Sequence, residues 1–272
     1  MDKTRILTGL VLAVMMLVLI LSLSTFWMAV VLLVFFLEAA NEWAVLTGLS
    51  DWWKRSLYLV CIFAFAVIAW ESIRWSADWV VIVIGCIWWL FATALLWLWQ
   101  PSWDRILMQK WMRWAAPLAL IPAWTALVLL HRYDPWLMVY LVALAALADS
   151  AAYFVGKRYG MHKMAPALSP GKTWEGAMGE WAMGLIMAII GAFAFVDDSG
   201  LWRSAFVGVV MMTTFVSIGG DLFESLLKRV AGVKDSGHVL PGHGGALDRL
   251  DSHLAAAPIF LLGMWLLGGH IQ

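Results

Sequence analysis

Charged side chains are scarce in this sequence, and their scarcity indicates the class of protein. Only 13% of the 272 residues are Asp, Glu, Lys or Arg, whereas 63% are hydrophobic. The mean hydropathy is +0.84. A soluble globular domain is roughly 45–50% apolar. Apolar runs of about 18 residues or more recur along the chain, and each is long enough to cross a bilayer as a helix. The composition predicts an all-α, polytopic integral membrane protein.

Other features that the sequence lacks exclude further classes. Lys and Arg number 18, as do Asp and Glu, so no net basicity suggests a nucleic-acid partner. Short segments of alternating polarity, which would indicate a membrane barrel, are also missing. The two cysteines, Cys61 and Cys86, lie inside apolar runs. We interpret them as small hydrophobic residues rather than as a disulfide or a metal pair.

The apolar runs predict about nine transmembrane helices. Their approximate limits are 6–23, 26–46, 57–72, 79–99, 115–131, 136–155, 177–196, 202–219 and 254–270. The first run follows basic residues, as in a signal peptide, but its length and the lack of an A-x-A-like cleavage site predict a retained span. Spans one and two adjoin at "SLST", which predicts a tight helical hairpin.

Basic residues predict the orientation, because cytoplasmic loops carry an excess of Lys and Arg. With a cytoplasmic N-terminus, nine spans leave only Arg74, Arg132 and Arg203 on the far side. We therefore expect a multi-pass protein of the cytoplasmic (inner) membrane. The two longest polar loops, 156–176 and 220–252, then share the cytoplasmic side.

The polar residues concentrate in the C-terminal half. We divide the chain into residues 1–134, with about five spans, and residues 135–272, which carry both polar loops. Eleven ionisable residues lie between positions 220 and 251. Asp221, Ser225 and Lys228 share a helical face at i, i+4 and i+7. An amphipathic interfacial helix would show the same pattern.

The stretch "LPGHGGALDRLD" combines a glycine turn with two carboxylates. Gly244 and Gly245 permit close approach of backbone N–H groups to a ligand, as in phosphate-binding loops. Asp248 and Asp251 follow, three residues apart, and share one face if a helix begins there. Carboxylates together with substrate phosphates are a usual ligand set for Mg²⁺. The alternative is a helix start that favours acidic residues through its dipole.

The other loop, "DSAAYFVGKRYGMHKMAPALSPGKTWEG", begins with a carboxylate inside a span. Because a charge at the centre of a membrane helix costs roughly 2.5–3.5 kcal/mol, Asp149 should face a polar cavity or a metal. Ser169, Lys172 and Thr173 lie at a Pro-Gly turn before a helix. That turn is similar to a phosphate loop but lacks the full G-x-x-x-x-G-K-[ST] pattern, and a simple turn remains open.

Together these residues indicate a reaction class. Carboxylates suit a divalent metal, lysines and arginines suit phosphates, and both are expected at the cytoplasmic surface of the membrane. The combination favours metal-assisted phosphoryl or nucleotidyl transfer involving a lipid head group.

The segment "SLLKRVAGVKDSGHVLPGHGGALDRLD" closely resembles the signature of phosphatidate cytidylyltransferases, also called CDP-diacylglycerol synthases. That signature is S-x-x-K-R, four residues, K-D, a turn, P-x-H-G-G and D-R-x-D. The matching positions are Ser225, Lys228, Arg229, Lys234, Asp235, Pro241, His243, Gly244, Gly245, Asp248, Arg249 and Asp251. The resemblance covers about residues 149–258. The sequence departs from it at three positions: the family commonly has Gly in place of Ala151, a bulkier aliphatic residue in place of Ala246 and Gly in place of Glu180.

The resemblance implies transfer of CMP from CTP to phosphatidic acid, giving CDP-diacylglycerol and pyrophosphate for phospholipid biosynthesis. It implies Mg²⁺, as one ion or as one of a pair, and a homodimer in the lipid bilayer. The implied metal ligands are Asp221, Asp248 and Asp251, with Asp149 as a further candidate. The implied catalytic residues are Ser225, Lys228, Arg229, Lys234, Asp235, His243 and Arg249. The implied substrate-binding residues are Ser169, Lys172, Gly244 and Gly245.

Three alternatives have similar sequence requirements. A membrane cytidylyltransferase or CTP-dependent kinase acting on an isoprenoid lipid also needs metal and phosphate sites. A transporter or channel also places charges in a membrane cavity, but its polar residues usually lie near the midplane, whereas here they cluster toward one surface. An inactive relative would not require the intact Asp and Lys positions.

Overall fold

Helices occupy most of the chain, as the composition predicts. The computed structural model describes residues 3–100, 102–197, 200–237 and 244–268, with side chains from residue 13 onward except at position 97. The helices are α1 Lys3–Ser22, α2 Thr25–Leu46, α3 Trp52–Arg74, α4 Asp78–Leu98, α5 Arg105–Tyr133, α6 Pro135–Tyr159, α7 Trp174–Phe195, α8 Gly200–Ala231 and α9 Leu247–Leu267. Two short strands, β1 Lys163–Ala165 and β2 Ser169–Thr173, form an antiparallel hairpin between α6 and α7.

The helices have the length and composition of membrane spans. Within the described residues, α2 to α9 are each long and apolar enough to cross a bilayer. The apolar stretch of α1 with described side chains, Ala13–Ser22, is shorter. The turn at "SLST" is short, since α1 ends at Ser22 and α2 begins at Thr25. Among the described residues, the hairpin predicted there is not formed by packing of these two helices, because α1 packs against α6 instead. The chain is therefore a multi-pass membrane protein.

Short polar side chains determine where several helices begin. Asp51, Asp104 and Asp134 precede α3, α5 and α6, and each carboxylate accepts a hydrogen bond from a backbone N–H in the first turn. The hydroxyl of Thr173 caps α7 in the same way. Such caps satisfy N–H groups that have no partner within the helix. Thr173 also ends β2, so one residue fixes the junction between the hairpin and α7.

The expected limits of the fifth span were wrong at its start. We predicted 115–131, but α5 begins at Arg105, because polar residues in its first turns obscure the apolar pattern. The structure accommodates these charges by hydrogen bonding. Arg105 Nε donates to the Val230 carbonyl at 2.5 Å, and Arg113 Nη2 donates to the Thr47 carbonyl at 2.6 Å.

The predicted loops 156–176 and 220–252 are also shorter than expected. The first contains the end of α6, the hairpin and the start of α7. In the second, α8 continues to Ala231 and α9 begins at Leu247, so that only 232–246 connects them. The helix continues because its apolar face, including Leu226 and Leu227, is fully buried.

The polar residues are carried by the most extensively packed helices. α8 packs along α9, and α7 packs against both α6 and α8. The division predicted between 134 and 135 falls at the turn from α5 to α6. Helices from the two sides nevertheless pack together, since α5 contacts α9 and α4 contacts α8. The N-terminal helices therefore support the region that carries the polar loops.

Candidate active site

A polar cavity of about 580 Å³ lies between α6, the hairpin, α7 and α8. Its ionisable lining residues are Asp149, Lys157, Lys163, Lys172, Glu180 and Asp221. Ser169 of β2 also lines it. The expectation that Asp149 faces a polar cavity is confirmed, and Ser252 Oγ donates to its carboxylate at 3.3 Å. Three lysines and three carboxylates therefore face a space large enough for phosphate groups.

The hairpin positions Lys172 in this cavity. β2 ends at the helix-capping Thr173, which fixes the strand just before α7. The ammonium of Lys172 forms an ion pair with the carboxylate of Asp221 on α8. Burial by itself would lower the pKa of Lys172, but the neighbouring Asp221 outweighs that effect and the pKa is raised. The side chain is therefore a stable cation at neutral pH.

Three carboxylates meet beside the cavity where α8 and α9 pack together. Asp221 and Glu224 lie one turn apart on α8, and Asp251 lies near the start of α9. One carboxylate oxygen from each lies within 4.8 Å of the others. Asp221 also lines the cavity, so the carboxylate cluster and the lysines belong to one site.

Gly220 permits this close approach of α8 to α9. A Cβ atom at position 220 would lie 3.0 Å from the Ala255 Cβ and would collide with the Asp251 carbonyl oxygen. Contacts this short are tighter than packed side chains normally make. The small pair Gly220 and Ala255 therefore brings the carboxylates of the two helices together.

The carboxylate cluster fits a divalent cation. Glu224 is buried, and its Oε2 lies 2.5 Å from Lys228 Nζ. Three carboxylates this close repel one another unless a cation lies among them. Hard oxygen ligands suit Mg²⁺, which usually binds few carboxylates together with substrate phosphates and water. Sequence reasoning missed Glu224 as a candidate ligand, although its i+3 spacing from Asp221 places it on the same helical face.

Asp248 lies in a different environment from Asp251. Its carboxylate accepts hydrogen bonds from Lys228 Nζ at 2.8 Å, from Ser236 Oγ at 2.9 Å and from Gly245 N at 2.9 Å. The Ser236 amide donates a fourth, at 3.2 Å. The expected set of Asp221, Asp248 and Asp251 is thus not brought together as one cluster. Lys228 links the two groups, because its ammonium contacts Glu224 as well as Asp248.

Glu42 of α2 is a site residue that sequence reasoning missed. It is buried, and its carboxylate accepts hydrogen bonds from Ala246 N at 3.0 Å and from Leu247 N at 2.8 Å. Ser236 Oγ lies 2.9 Å from Glu42 as well as from Asp248, so the two carboxylates share its one hydroxyl proton. Glu42 therefore ties Ser236 to the start of α9. The available signal was a carboxylate in an otherwise apolar span, which by the same reasoning applied to Asp149 requires a polar partner.

The remaining predicted residues take several positions. Ser225 is buried on α8, and Arg229 Nε donates to the Leu168 carbonyl at 2.9 Å, which holds the turn of the hairpin. Lys234, Asp235 and Arg249 are exposed. Arg229 therefore supports the hairpin, and the side chains of Lys234, Asp235 and Arg249 lie at the protein surface.

The glycine turn encloses the Asp248 carboxylate. Gly244 has φ +81°, a conformation that favours glycine, and a Cβ there would lie 2.8 Å from Asp248 Oδ2. Gly245 is buried against Ser236 and Glu42. His243 lies outside the described residues. The described part of the turn therefore contacts protein carboxylates directly.

Glu180, where the resemblance implies Gly, lies in the cavity. It is buried on α7, and Ser217 Oγ donates to its carboxylate at 3.3 Å. Its side chain adds a carboxylate to the cavity that Lys172 also lines.

Comparison with known proteins gives a family match over nearly the whole chain and relatives that cover about half of it or more. A family model described as "Cytidylyltransferase family" matches residues 3–267. The phosphatidate cytidylyltransferase of Pseudomonas aeruginosa is 36% identical over 232 residues, which cover 84% of each chain. That of Haemophilus influenzae is 44% identical over 140 residues, 48% of this chain and 47% of the relative. That of Bacillus subtilis is 41% identical over 141 residues, 50% of this chain and 51% of the relative.

Proposed function

The chain belongs to the cytidylyltransferase family, and from that premise we propose that it transfers CMP from CTP to phosphatidic acid for phospholipid biosynthesis. The products are CDP-diacylglycerol and pyrophosphate. The observation that carries the proposal is the cavity that joins Lys172, Asp221 and the carboxylate cluster within an apolar helical bundle. A soluble nucleotide and a membrane-bound phosphate could meet in such a cavity.

The reaction does not require a strong general base from the protein. An anionic phosphate oxygen of the lipid attacks the α-phosphorus of CTP, a new P–O bond forms, and the bond to pyrophosphate breaks. Charge neutralisation and alignment of the two phosphates then provide most of the catalysis. Lys172 and the cavity residues Lys157 and Lys163 supply positive charge for these phosphates.

We assign the metal site to Asp221, Glu224 and Asp251. Bound Mg²⁺ would neutralise the phosphates of the nucleotide and stabilise the developing charge on pyrophosphate. Lys228 holds Glu224 and Asp248 in position, and Asp248 orients the segment before α9 through Ser236 and Gly245. Asp149 lines the same cavity and stays a candidate for a second metal ion.

The location and assembly follow from the same reasoning. The distribution of Lys and Arg supports a cytoplasmic N-terminus and a cavity on the cytoplasmic side of the inner membrane, where CTP is present. The homodimer implied by the resemblance stays a prediction, and the mass of the detergent-solubilised protein, measured by light scattering, tests it.

The direct test is CTP-dependent turnover in mixed micelles. Purified protein receives phosphatidic acid, labelled CTP and Mg²⁺, and the assay follows lipid-linked CMP and released pyrophosphate. We expect equal amounts of the two products, loss of both with chelator, and loss of both in Asp251→Asn. Substituting a polyprenyl phosphate as acceptor separates this reaction from that of an isoprenoid enzyme.

Two outcomes would overturn the proposal. Preferred turnover of the polyprenyl phosphate would favour the isoprenoid alternative. The transporter alternative would be favoured by a different result. The folded protein would form no lipid-linked CMP with any acceptor or divalent metal, but would move a phosphorylated solute into vesicles without consuming CTP.

A further inference from the structure

A second cavity, lined mainly by apolar side chains, lies next to the polar one. It has a volume of about 130 Å³ and lies between α4, the hairpin, α7 and α8. We call it the apolar groove and define it by Leu96, Leu168, Trp181, Phe215, Ile218 and Leu222. Neither the metal site nor the phosphate-binding lysines account for a groove of this composition.

The apolar groove adjoins the polar cavity. Met164 of the hairpin, Ala177 of α7 and Ile218 of α8 line both spaces. Asp221 lies one helical turn beyond Ile218 on α8. A molecule with a phosphate near Asp221 and Lys172 would therefore have the apolar groove directly beside it.

The apolar groove also reaches the outer surface of the bundle. Trp174, Trp181 and Phe215 line it and are 41%, 39% and 44% exposed. The rings of Trp181 and Phe215 lie 6.1 Å apart. In a membrane-spanning bundle, apolar side chains at the outer surface contact lipid. The groove thus lies between the lipid-facing surface and the polar cavity.

We propose that the apolar groove binds one acyl chain of the diacylglycerol phosphate substrate while its phosphate occupies the polar cavity. This inference rests on the proposed function. A volume of about 130 Å³ suits a segment of a chain rather than a helix of a partner protein. Its position beside the lysine-lined cavity, with three lining residues in common, favours a ligand with a phosphate head and an apolar tail.

We expect the apolar groove to position the lipid rather than to gain binding energy by removing its acyl chain from water. The chain of a membrane lipid already lies in hydrocarbon, so its binding removes little apolar surface from water. A groove beside the site instead aligns the phosphate at its end for attack. A bulky side chain in the groove should therefore reduce turnover of long-chain substrates specifically.

Filling the apolar groove tests this inference. Leu96→Trp places an indole at its α4 wall, and Leu98→Trp is the matched control because Leu98 is 67% exposed on the same helix. We expect Leu96→Trp to lower kcat/KM for dioleoyl phosphatidic acid by roughly tenfold, the scale on which apolar pockets discriminate size. The loss for dihexanoyl phosphatidic acid should be smaller, and the KM for CTP should stay unchanged. Leu98→Trp should behave as the wild type.

Photo-crosslinking gives a second readout that does not depend on turnover. Phosphatidic acid with a diazirine in one acyl chain should label residues 174–181 or 215–222 of the wild type, and Phe215→Ala should still be labelled on α7. Leu96→Trp should lose this labelling, whereas Leu98→Trp should keep it.

The outcomes separate this inference from the proposed function. The acyl-chain site alone would be overturned if the wild type turns over phosphatidic acid and Leu96→Trp behaves like Leu98→Trp in both kinetics and labelling. Labelling confined to other surfaces of an active enzyme would do the same. Folded wild-type protein without CTP-dependent turnover would overturn the proposed function and, with it, this inference.

Discussion

At the scale of single residues, Asp248 and Asp251 are close in sequence but have different partners. Asp251 joins Asp221 and Glu224 in the carboxylate cluster. Asp248 accepts hydrogen bonds from Lys228, Ser236 and Gly245. A carboxylate with several protein donors has fewer oxygen lone pairs left for a metal. We therefore expect substitutions of the two aspartates to have different effects on activity and stability.

Replacing each aspartate with asparagine tests this difference. Asp251→Asn removes a proposed metal ligand. Mutating a residue that merely orients a metal ligand lowers metal affinity or activity by about 10–100-fold. We therefore expect at least such a loss in kcat/KM, and a higher Mg²⁺ concentration for the half-maximal rate. Asp248→Asn should lower the melting temperature in detergent, because it leaves Lys228 without one of its two partners. Its residual activity should keep the Mg²⁺ dependence of the wild type. A shifted Mg²⁺ dependence in Asp248→Asn would return Asp248 to the metal site.

Glu42 is a second case in which one buried carboxylate organises several groups. Glu42→Gln keeps one acceptor oxygen but turns an amide NH₂ toward backbone donors at Ala246 and Leu247. Hydrogen bonds to charged groups contribute about 1.5–3 kcal/mol each, so we expect a clear fall in melting temperature and faster proteolysis between 232 and 246. Glu38→Gln, one turn earlier on α2, is the control, because the Glu38 carboxylate accepts a hydrogen bond from the neighbouring Asn41 Nδ2 at 3.2 Å. Equal stability of the two variants would refute a clamping role for Glu42.

At the scale of secondary-structure elements, the contact between α8 and α9 determines the geometry of the carboxylate cluster. Gly220→Val should force the helices apart, because even a Cβ would collide with the Asp251 carbonyl. Overpacking of this kind costs about 1–3 kcal/mol, and the displaced Asp251 should weaken Mg²⁺-dependent activity. Gly208→Val, in open space on the same helix, is the matched control. Melting temperatures and Mg²⁺ titrations of both variants check the prediction, which fails if Gly220→Val titrates as the control does.

At the scale of the whole molecule, the orientation in the membrane is open to direct measurement. In a background with Cys61→Ser and Cys86→Ser, we expect Ser76→Cys, between α3 and α4, to react with an impermeant thiol reagent on the outside of spheroplasts. Met161→Cys, exposed before the hairpin, should react only after the membrane is opened. The reason is the distribution of Lys and Arg, which favours the cytoplasm for the hairpin. The reverse labelling pattern would place the candidate active site outside the cell.

The sequence by itself determined the class of protein, the approximate helices and the polar segments. Long apolar runs in a bilayer must satisfy their backbone hydrogen bonds internally, so helices follow directly from composition. The apolar pattern did not give the start of α5, which the local cap at Asp104 determines in the structure. The need of Asp149 for a polar environment follows from the cost of burying its charge.

Only the tertiary structure decided which carboxylates meet. Glu42 lies about 200 positions from the backbone groups that it binds, and no local pattern encodes such a contact. Glu224 joins Asp251 because Gly220 brings α8 close to α9. Asp248 and Asp251 separate because Lys228, Ser236 and Gly245 hold the Asp248 carboxylate, whereas Asp251 meets Asp221 and Glu224 of α8. Each partner set depends on packing between distant helices, which spacing along the chain does not specify.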